Sequence, residues 1–465
     1  MKTAILGGGL TGLTLGCLMK KKGLDFEVLE KEKECGGLMR TVQTEGFTFD
    51  CSGSHVIFAK DEKILRFMLG LLGNNEIECR RNAKILYGGR YVKYPFENGL
   101  SDLPKEDDFE CLNSFVQNLI RKEKGELEKP RNLKAWFFYT FGKGIAEKYL
   151  VPYNSKIWKY PLQNMGLEWV DRIPSPPVTD IIKSSLGIET EGYKHQLRFH
   201  YPKKGGIHAL IQALQQKITH RVFTGFEVKK IRKEDGHWVV SDGKNERQYE
   251  KAVSTIPIKT LIKTVQPSRD VQESIHRLKH NSLINVLIGL DKSKVNDFSW
   301  LYIPGKETLA HRVSFPLNFS PNTVPSGKSS VMAEITCCFG SKTWLMKDSE
   351  ISGRVIDDLH RLHVINKKEV CFTAIRRSLY AYVINDLAYS ANLKVAYDYF
   401  RSIGIGLVGR FSEFKYLNMD DCVKHAMDFV NRIDVSGSVK SSSLSPCEKS
   451  SPEVTDSSMI AKKAS

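Results

Sequence analysis

The chain has no apolar run approaching the roughly 20 consecutive residues that span a bilayer, so no transmembrane segment is expected. Its ten cysteines, at positions 17, 35, 51, 79, 111, 337, 338, 371, 422 and 447, show no C-x-x-C spacing. A disulfide framework and a zinc ribbon are therefore disfavoured. His276 and His280 share a helical spacing, but no acidic third ligand is placed for zinc, and no metal is expected. There is no basic stripe with interleaved aromatics and no nucleic-acid module, which argues against a nucleic-acid partner. No secretory leader is read before the first strand-like segment at residue 4, and a reducing cytoplasm is the expected setting. Acidic residues are in deficit, 53 against 69 basic ones, giving a formal charge of +16. The excess is first a solvated lysine-rich surface, and second a way to concentrate an anionic ligand in a basic cleft.

What is present begins at once. Ala4 to Leu6 reads as an apolar strand running into Gly7-x-Gly9-x-x-Gly12 and then an amphipathic helix. In such a turn the first glycine permits the bend, the second admits a pyrophosphate to the backbone, and the third allows close helix–strand packing. The helix ends in Lys20-Lys21-Lys22-Gly23, cations and a capping glycine where the dipole favours them. A second strand, Phe26 to Leu29, delivers Glu30 to bind a ribose hydroxyl pair. Strand, glycine turn, helix and acid together indicate dinucleotide binding. Gly36-Gly37 and Arg40 follow closely, an extension that an NAD-only domain does not need, and this favours FAD.

At 465 residues and 41% apolar content the chain can hold two or three domains. Helical and strand-like segments alternate, so the fold class is α/β, a Rossmann-type FAD domain with an inserted helical domain and an inserted antiparallel sheet. The expected division is 1–90, 200–265 and 390–434 for the FAD domain, 91–199 for the helical domain and 266–389 for the sheet domain. Trp136, Phe137, Phe138 and Phe141 form an expected aromatic core. Gly205-Gly206 opens a helix through Ile218, Val222–Ile231, Trp238–Ser241 and Lys251–Ile256 read as strands, and a helix runs from Ser349 to Leu362. Gly404–Gly409 reads as a strand and Asn418–Ile433 as a helix. Residues 435–465, rich in Ser, Lys and Glu, read as a disordered tail. Gly327-Lys328-Ser329 looks like the end of a P-loop, but no glycine stands five residues earlier. Cys337-Cys338 reads as core packing on opposite faces of a strand.

The late Gly404-Ile-Gly406-Leu-Val-Gly409-Arg410 and the early fingerprint together resemble the split FAD domain of the glutathione-reductase and amine-oxidase class of flavoproteins. Between them lie Tyr94-Pro-Phe-Glu97-Asn98, Leu103-Pro-Lys-Glu106, Gly142-x-Gly144-Ile-Ala146 and Pro152-Tyr-Asn154-x-Lys156-x-Trp158. Trp300-Leu-Tyr302, Arg312, Asn318-Phe-Ser-Pro321 and Gly409-Arg410-Phe411 with Tyr416 follow in order. This series resembles the UDP-galactopyranose mutases, the eukaryotic-type enzymes above all, from residue 1 to about 433.

The resemblance implies a UDP-sugar substrate and an isomerisation between pyranose and furanose forms, with the N5 of reduced FAD as nucleophile. NAD(P)H is a candidate reductant, and oligomerisation is left open. Cofactor contacts fall on Gly7, Gly9, Leu10, Thr11, Gly12, Glu30, Lys31, Gly37, Leu38, Arg40, His55, Val228, Gly409, Arg410, Tyr416, Asn418 and Met419, with His55 beside the flavin. Tyr94, Glu97, Tyr149, Asn154, Trp158 and Tyr302 match the nucleotide side, and Arg172 and Arg312 match a pair that clamps the diphosphate. Tyr382 and Tyr416 match tyrosines near the diphosphate and sugar. Three departures stand out. Phe319 replaces a diphosphate-binding tyrosine, Glu97 replaces a glutamine and adds charge, and Tyr382 lacks its proline-rich context. Two alternatives stay open: a true flavin oxidoreductase similar to protoporphyrinogen oxidases, amine oxidases or carotenoid desaturases, and a nucleotide-sugar-binding flavoprotein without catalysis.

Overall fold

A parallel sheet is assembled from segments far apart in the chain. In this computed structural model, which describes residues 1–190 and 197–433, its strand order is Ile405–Leu407, Lys251–Ser254, Lys2–Leu6, Asp25–Leu29 and Val222–Phe223, every pair parallel. Ala4, Ile5 and Leu6 are all fully buried, as a parallel strand covered on both faces requires. The helix Leu10–Lys21 starts directly after Gly9 with no side-chain cap and carries Lys20 and Lys21 in its last turn. Gly23, at φ 73°, takes the left-handed position beyond it.

Gly12 decides how close this helix comes. A Cβ there would stand 1.9 Å from the Gly7 carbonyl oxygen. A second close approach holds the far end of the chain on the same turn, since a Cβ at Gly409 would meet Thr11 Oγ1 at 2.5 Å.

A seven-stranded sheet runs in the order Val370–Ile384, Lys279–Leu290, Ser329–Cys337, Arg312–Ser314, Trp300–Tyr302, Ala83–Tyr87 and Arg90–Lys93. All its pairs are antiparallel except Trp300–Tyr302 with Ala83–Tyr87. The early hairpin thus pairs across the expected divide at residue 90. Helix Asp348–Arg361 buries Ile351, Val355 and Leu359 against this sheet. The helical layer comprises Lys105–Glu123, Leu133–Ile145, a π-helical turn at Ala146–Leu150, Val151–Trp158 and Val178–Ser185. Phe137 and Phe141 are buried in it, with Trp136 and Phe138 packed against them. The architecture is the α/β class expected, a Rossmann-type core with helical and antiparallel additions.

Several local expectations are corrected. Val222–Ile231 is two strands in different sheets, Val222–Phe223 and Lys230–Glu234. Gly225, at φ 72°, turns the chain between them, and Phe226 N–H bonds to the Glu30 carbonyl instead. The helix after Gly205-Gly206 starts only at His208, because both glycines have positive φ. Gly404, at φ 81°, caps the helix Tyr389–Ile403 and lies outside the strand Ile405–Leu407. His276 and His280 do not share a helix face: Arg269–Arg277 ends before His280, which lies on a strand. Cys337 closes its strand buried, whereas Cys338 is exposed beyond it. Gly327 turns straight into a strand with no helix after it, so no phosphate nest forms. The tail expected at 435–465 lies outside the described residues. Nine cysteines are free, and no helix is long and apolar enough to cross a membrane, both among the described residues.

Because the Gly12 contact is backbone against backbone, no side chain can yield to relieve it. Gly12→Ala should destabilise the chain by about 1–3 kcal/mol or more and release bound flavin. A urea midpoint and bound-flavin absorbance equal to those of the unsubstituted chain would contradict this.

Candidate functional site

A cleft of about 3230 Å³ opens where the carboxyl ends of the parallel strands meet the seven-stranded sheet and the helical layer. Gly7, Gly9, Leu10 and Thr11 line one end. Space is open above Gly9, where a Cβ would meet nothing within 4 Å. The uncapped first-turn N–H groups of Leu10–Lys21 face that space, an arrangement suited to phosphate. Glu30 is buried, and its carboxylate accepts from the Gly8 N–H at 2.7 Å and the Glu32 N–H at 2.9 Å. Gly36 bridges Gly9, and Gly37 lies so close that its Cβ would stand 3.6 Å from the Gly9 Cα. The second glycine pair therefore packs directly on the first turn. Lys31, Leu38, Arg40 and Val228 continue this wall. Asn418 caps the helix Met419–Asn431 in a capping box with Asp421, and both Asn418 and Met419 reach the cleft. Gly12 and Gly409 do not line it. They act by permitting close packing.

The other end is cationic and aromatic. Arg312 makes a two-pronged pair with Glu334, Nε to Oε1 and Nη2 to Oε2, both at 2.8 Å. Glu334 has no exposure, while about a fifth of the Arg312 side chain is exposed in the cleft. The Nη1 edge points away from Glu334 and is available to a ligand. Arg172 is held similarly, its Nη2 donating to Asp421 Oδ2 at 2.7 Å and its guanidinium lying 5.3 Å from the Tyr416 ring centre. Tyr382 and Tyr416 stack at 5.8 Å, and Arg410 sits 4.4 Å from the Tyr416 ring. Such contacts fix the direction of each guanidinium.

His55 also lines the cleft, its Nδ1 2.9 Å from the Gly53 carbonyl. A carbonyl only accepts, so Nδ1 carries the proton and Nε2 is the acceptor. Burial, with Arg410 and Arg312 nearby, pushes its pKa down to about 4. The ring is neutral across the physiological range.

Tyr302 lines the cleft, but Tyr94, Glu97, Tyr149, Asn154, Trp158 and Phe319 lie behind its wall. Trp158 is fully buried and donates from Nε1 to Asn154 Oδ1 at 3.1 Å, and Asn154 donates to the Leu150 carbonyl at 2.8 Å. Their polar groups satisfy one another one helical turn apart, so in this conformation they brace the wall. Phe319 sits in a cage of Phe199, Trp300 and Tyr201. Tyr149 stacks between Phe96 at 5.0 Å and Tyr153 at 5.4 Å. Glu97 is 2% exposed, and burial pushes its carboxyl up to about 8. The added charge expected from this residue is therefore absent at neutral pH.

Sequence reasoning passed over Glu334, Arg81, Tyr153 and Asp421. The signal for Glu334 was a lone acid in the apolar strand Ser329–Cys337. Arg81 is held 4.7 Å from the Tyr94 ring and 5.0 Å from Trp300. Trp300 comes from a strand 219 residues further along the chain, which spacing could not reveal.

Residues 10–383 match the family model described as flavin containing amine oxidoreductase. The chain belongs to this family of flavoproteins. Among solved structures it is similar to a reduced UDP-galactopyranose mutase, with TM-score 0.86 and 24% identity over 95% of this chain and 97% of that one. It is also similar to a candidate protoporphyrinogen oxidase from Exiguobacterium sp. 255-15, with TM-score 0.72 and 17% identity over 92% and 98% of the two chains. These likenesses show the fold. A stretch of 73 residues is 32% identical to the inactive all-trans-retinol 13,14-reductase of Danio rerio, covering 16% of this chain and only 12% of that relative's length. FAD is the cofactor of the family, and the cleft fits it. The open space at Gly9, the uncapped helix start and buried Glu30 suit an adenosine diphosphate.

The low His55 value has a thermodynamic consequence. Unfolded histidine protonates near 6.5, His55 near 4 and half-buried His280 also near 4. Between those values the unfolded chain binds more protons, so stability is present above pH about 6.5 and falls as pH drops towards 4. A melting-temperature profile should show that fall, and His55→Gln should make it shallower. An identical profile in the variant would contradict the assignment.

Proposed function

We propose that the chain is a UDP-sugar mutase of the UDP-galactopyranose type, interconverting pyranose and furanose rings with FAD in its reduced state. One observation carries this reading. Two arginines, each anchored by a carboxylate on one edge of its fork, face a common cleft beside the Tyr382–Tyr416 pair and Tyr302. A planar fork with a free edge suits diphosphate oxygens, and an anchored one loses little entropy on binding them.

Bound reduced flavin supplies a nucleophilic nitrogen for the sugar's anomeric carbon. The rest is the work of the chain. Arg172 and Arg312 hold the leaving diphosphate and stabilise the charge it gains as its bond to the sugar breaks. The Tyr382–Tyr416 stack and the Arg410 guanidinium on it cover that end of the cleft against water. His55, neutral with Nδ1–H committed to Gly53, offers Nε2 as an acceptor to the flavin edge and carries no proton at that nitrogen. An oxidase of an apolar amine or carotenoid would need an apolar tunnel, whereas this wall carries Arg81, Arg172, Arg312 and Arg410.

The flavin-loaded chain, pre-reduced with dithionite, should interconvert UDP-galactopyranose and UDP-galactofuranose, and UDP should raise its melting temperature with concentration. Turnover only in the oxidised state, with peroxide released, would sink the reading in favour of an oxidoreductase. Arg312→Ala should lower kcat by about 10²–10³-fold, far more than it lowers flavin content. Parallel loss of both would make Arg312 a folding residue.

A further inference from the structure

The loop after the strand Ser329–Cys337 carries an apolar knob that takes no part in the proposed reaction and does not line the large cleft. Phe339 is 64% exposed and Leu345 72%, the latter the most exposed large apolar side chain among the described residues. Trp344 packs on Phe339 with ring centres 5.4 Å apart. These side chains stand on a fixed backbone. Ser341 caps the short helix Lys342–Leu345 by accepting from the Trp344 N–H. Arg377 Nη2 donates to the Met346 carbonyl at 2.9 Å, and its Nη1 to Asp348. Apolar groups grouped and held in water in this way mark a surface that a partner covers. Lys342 and Lys347 are exposed on the same loop.

A second cavity lies beside the base of the knob. It measures about 330 Å³, and Lys134, Ser155, Lys159, Tyr160 and Gln163 line it with three apolar residues and no acidic one among the described residues. Lys159 joins the two features. The Cys338 thiol lies 4.0 Å from its carbonyl oxygen, and its ammonium is within electrostatic reach of Cys337 and Cys338. Lys159 ends the helix Val151–Trp158 at φ 51°, a left-handed position that costs a glycine or asparagine backbone less.

We infer that this face docks on an anionic phospholipid bilayer, with Phe339, Trp344 and Leu345 entering the boundary between headgroups and acyl chains while Lys134 and Lys159 receive a lipid phosphate. Aromatic and large apolar side chains flanked by lysines match the interfacial layer of a membrane. Apolar insertion or charge alone gives marginal, reversible binding, and stable docking takes two signals. Here the two adjoin. The acid that follows the loop, Asp348, is paired with Arg377 and so opposes an anionic surface little. A protruding knob enters a deformable bilayer readily, whereas a protein partner must offer a matching hollow. The formal charge of +16 adds attraction at longer range.

The test is co-sedimentation of the flavin-loaded full chain with vesicles of phosphatidylcholine alone and of phosphatidylcholine with phosphatidylserine. The unsubstituted chain should pellet with the acidic vesicles and far less with the neutral ones, and added salt should release it. Phe339→Ser with Leu345→Ser should weaken partition about tenfold or more. Lys134→Gln with Lys159→Gln should weaken it about fivefold or more, and flavin content should stay unchanged in both double variants. No sedimentation with acidic vesicles, equal sedimentation with neutral ones, or undiminished binding in either double variant would overturn the inference. Self-association that Phe339→Ser with Leu345→Ser abolishes, in the absence of vesicle binding, would also overturn it, because the knob would then join copies of the chain.

Discussion

Glu334 has no solvent contact, sits in an otherwise apolar strand, and faces a single arginine. That pair is the constraint around which the cleft is arranged. A carboxylate taken wholly out of water must be matched, and a two-pronged guanidinium at 2.8 Å on both arms matches it. Matching fixes Arg312 in position, and Arg312 fixes where an anion can sit. It also pins the short strand Arg312–Ser314 to Ser329–Cys337, since the two residues are register partners. Sheet geometry and site geometry are one interaction seen from two sides.

The same logic recurs more weakly at Arg172, where the carboxylate of Asp421 is shared between a helix start and a guanidinium. Aromatic faces do the rest. Arg410, Arg172 and Arg81 each lie on a ring, so aromatic faces hold several cations in the cleft. Neutral His55 adds a dipole and no charge. The positive balance of the whole chain thus becomes local where it is useful, in a concave and partly dry wall.

The dinucleotide end was legible in the sequence because its signals are local. Gly7, Gly9, Gly12 and Glu30 act within one strand–turn–strand span, and the spacing itself is the mechanism. The class of fold was legible from alternation for the same reason. What was not legible depends on distant partners. Glu334 reads as an anomaly until its register with Arg312 is known. Trp158 and Asn154 read as ligand residues, yet they satisfy each other within one turn in this conformation. Glu97 reads as an added charge, whereas burial, a tertiary property, leaves it neutral. The split of Val222–Ile231 turned on Gly225 and on a hydrogen bond from Phe226 to the Glu30 carbonyl, neither visible in a run of β-favouring residues.

Gly409 lies against Thr11, and Ile405–Leu407 closes the sheet that Lys2–Leu6 begins. During synthesis these surfaces are separated by nearly the whole chain. At about 5–20 residues per second the ribosome needs about 20–80 s to deliver Gly409 after Gly12. Through that interval the nascent glycine turn stands open on one side, and the flavin's binding wall is incomplete. Cofactor capture is therefore a closing event of biosynthesis, and the nascent chain must keep its most apolar strands from other partners until then.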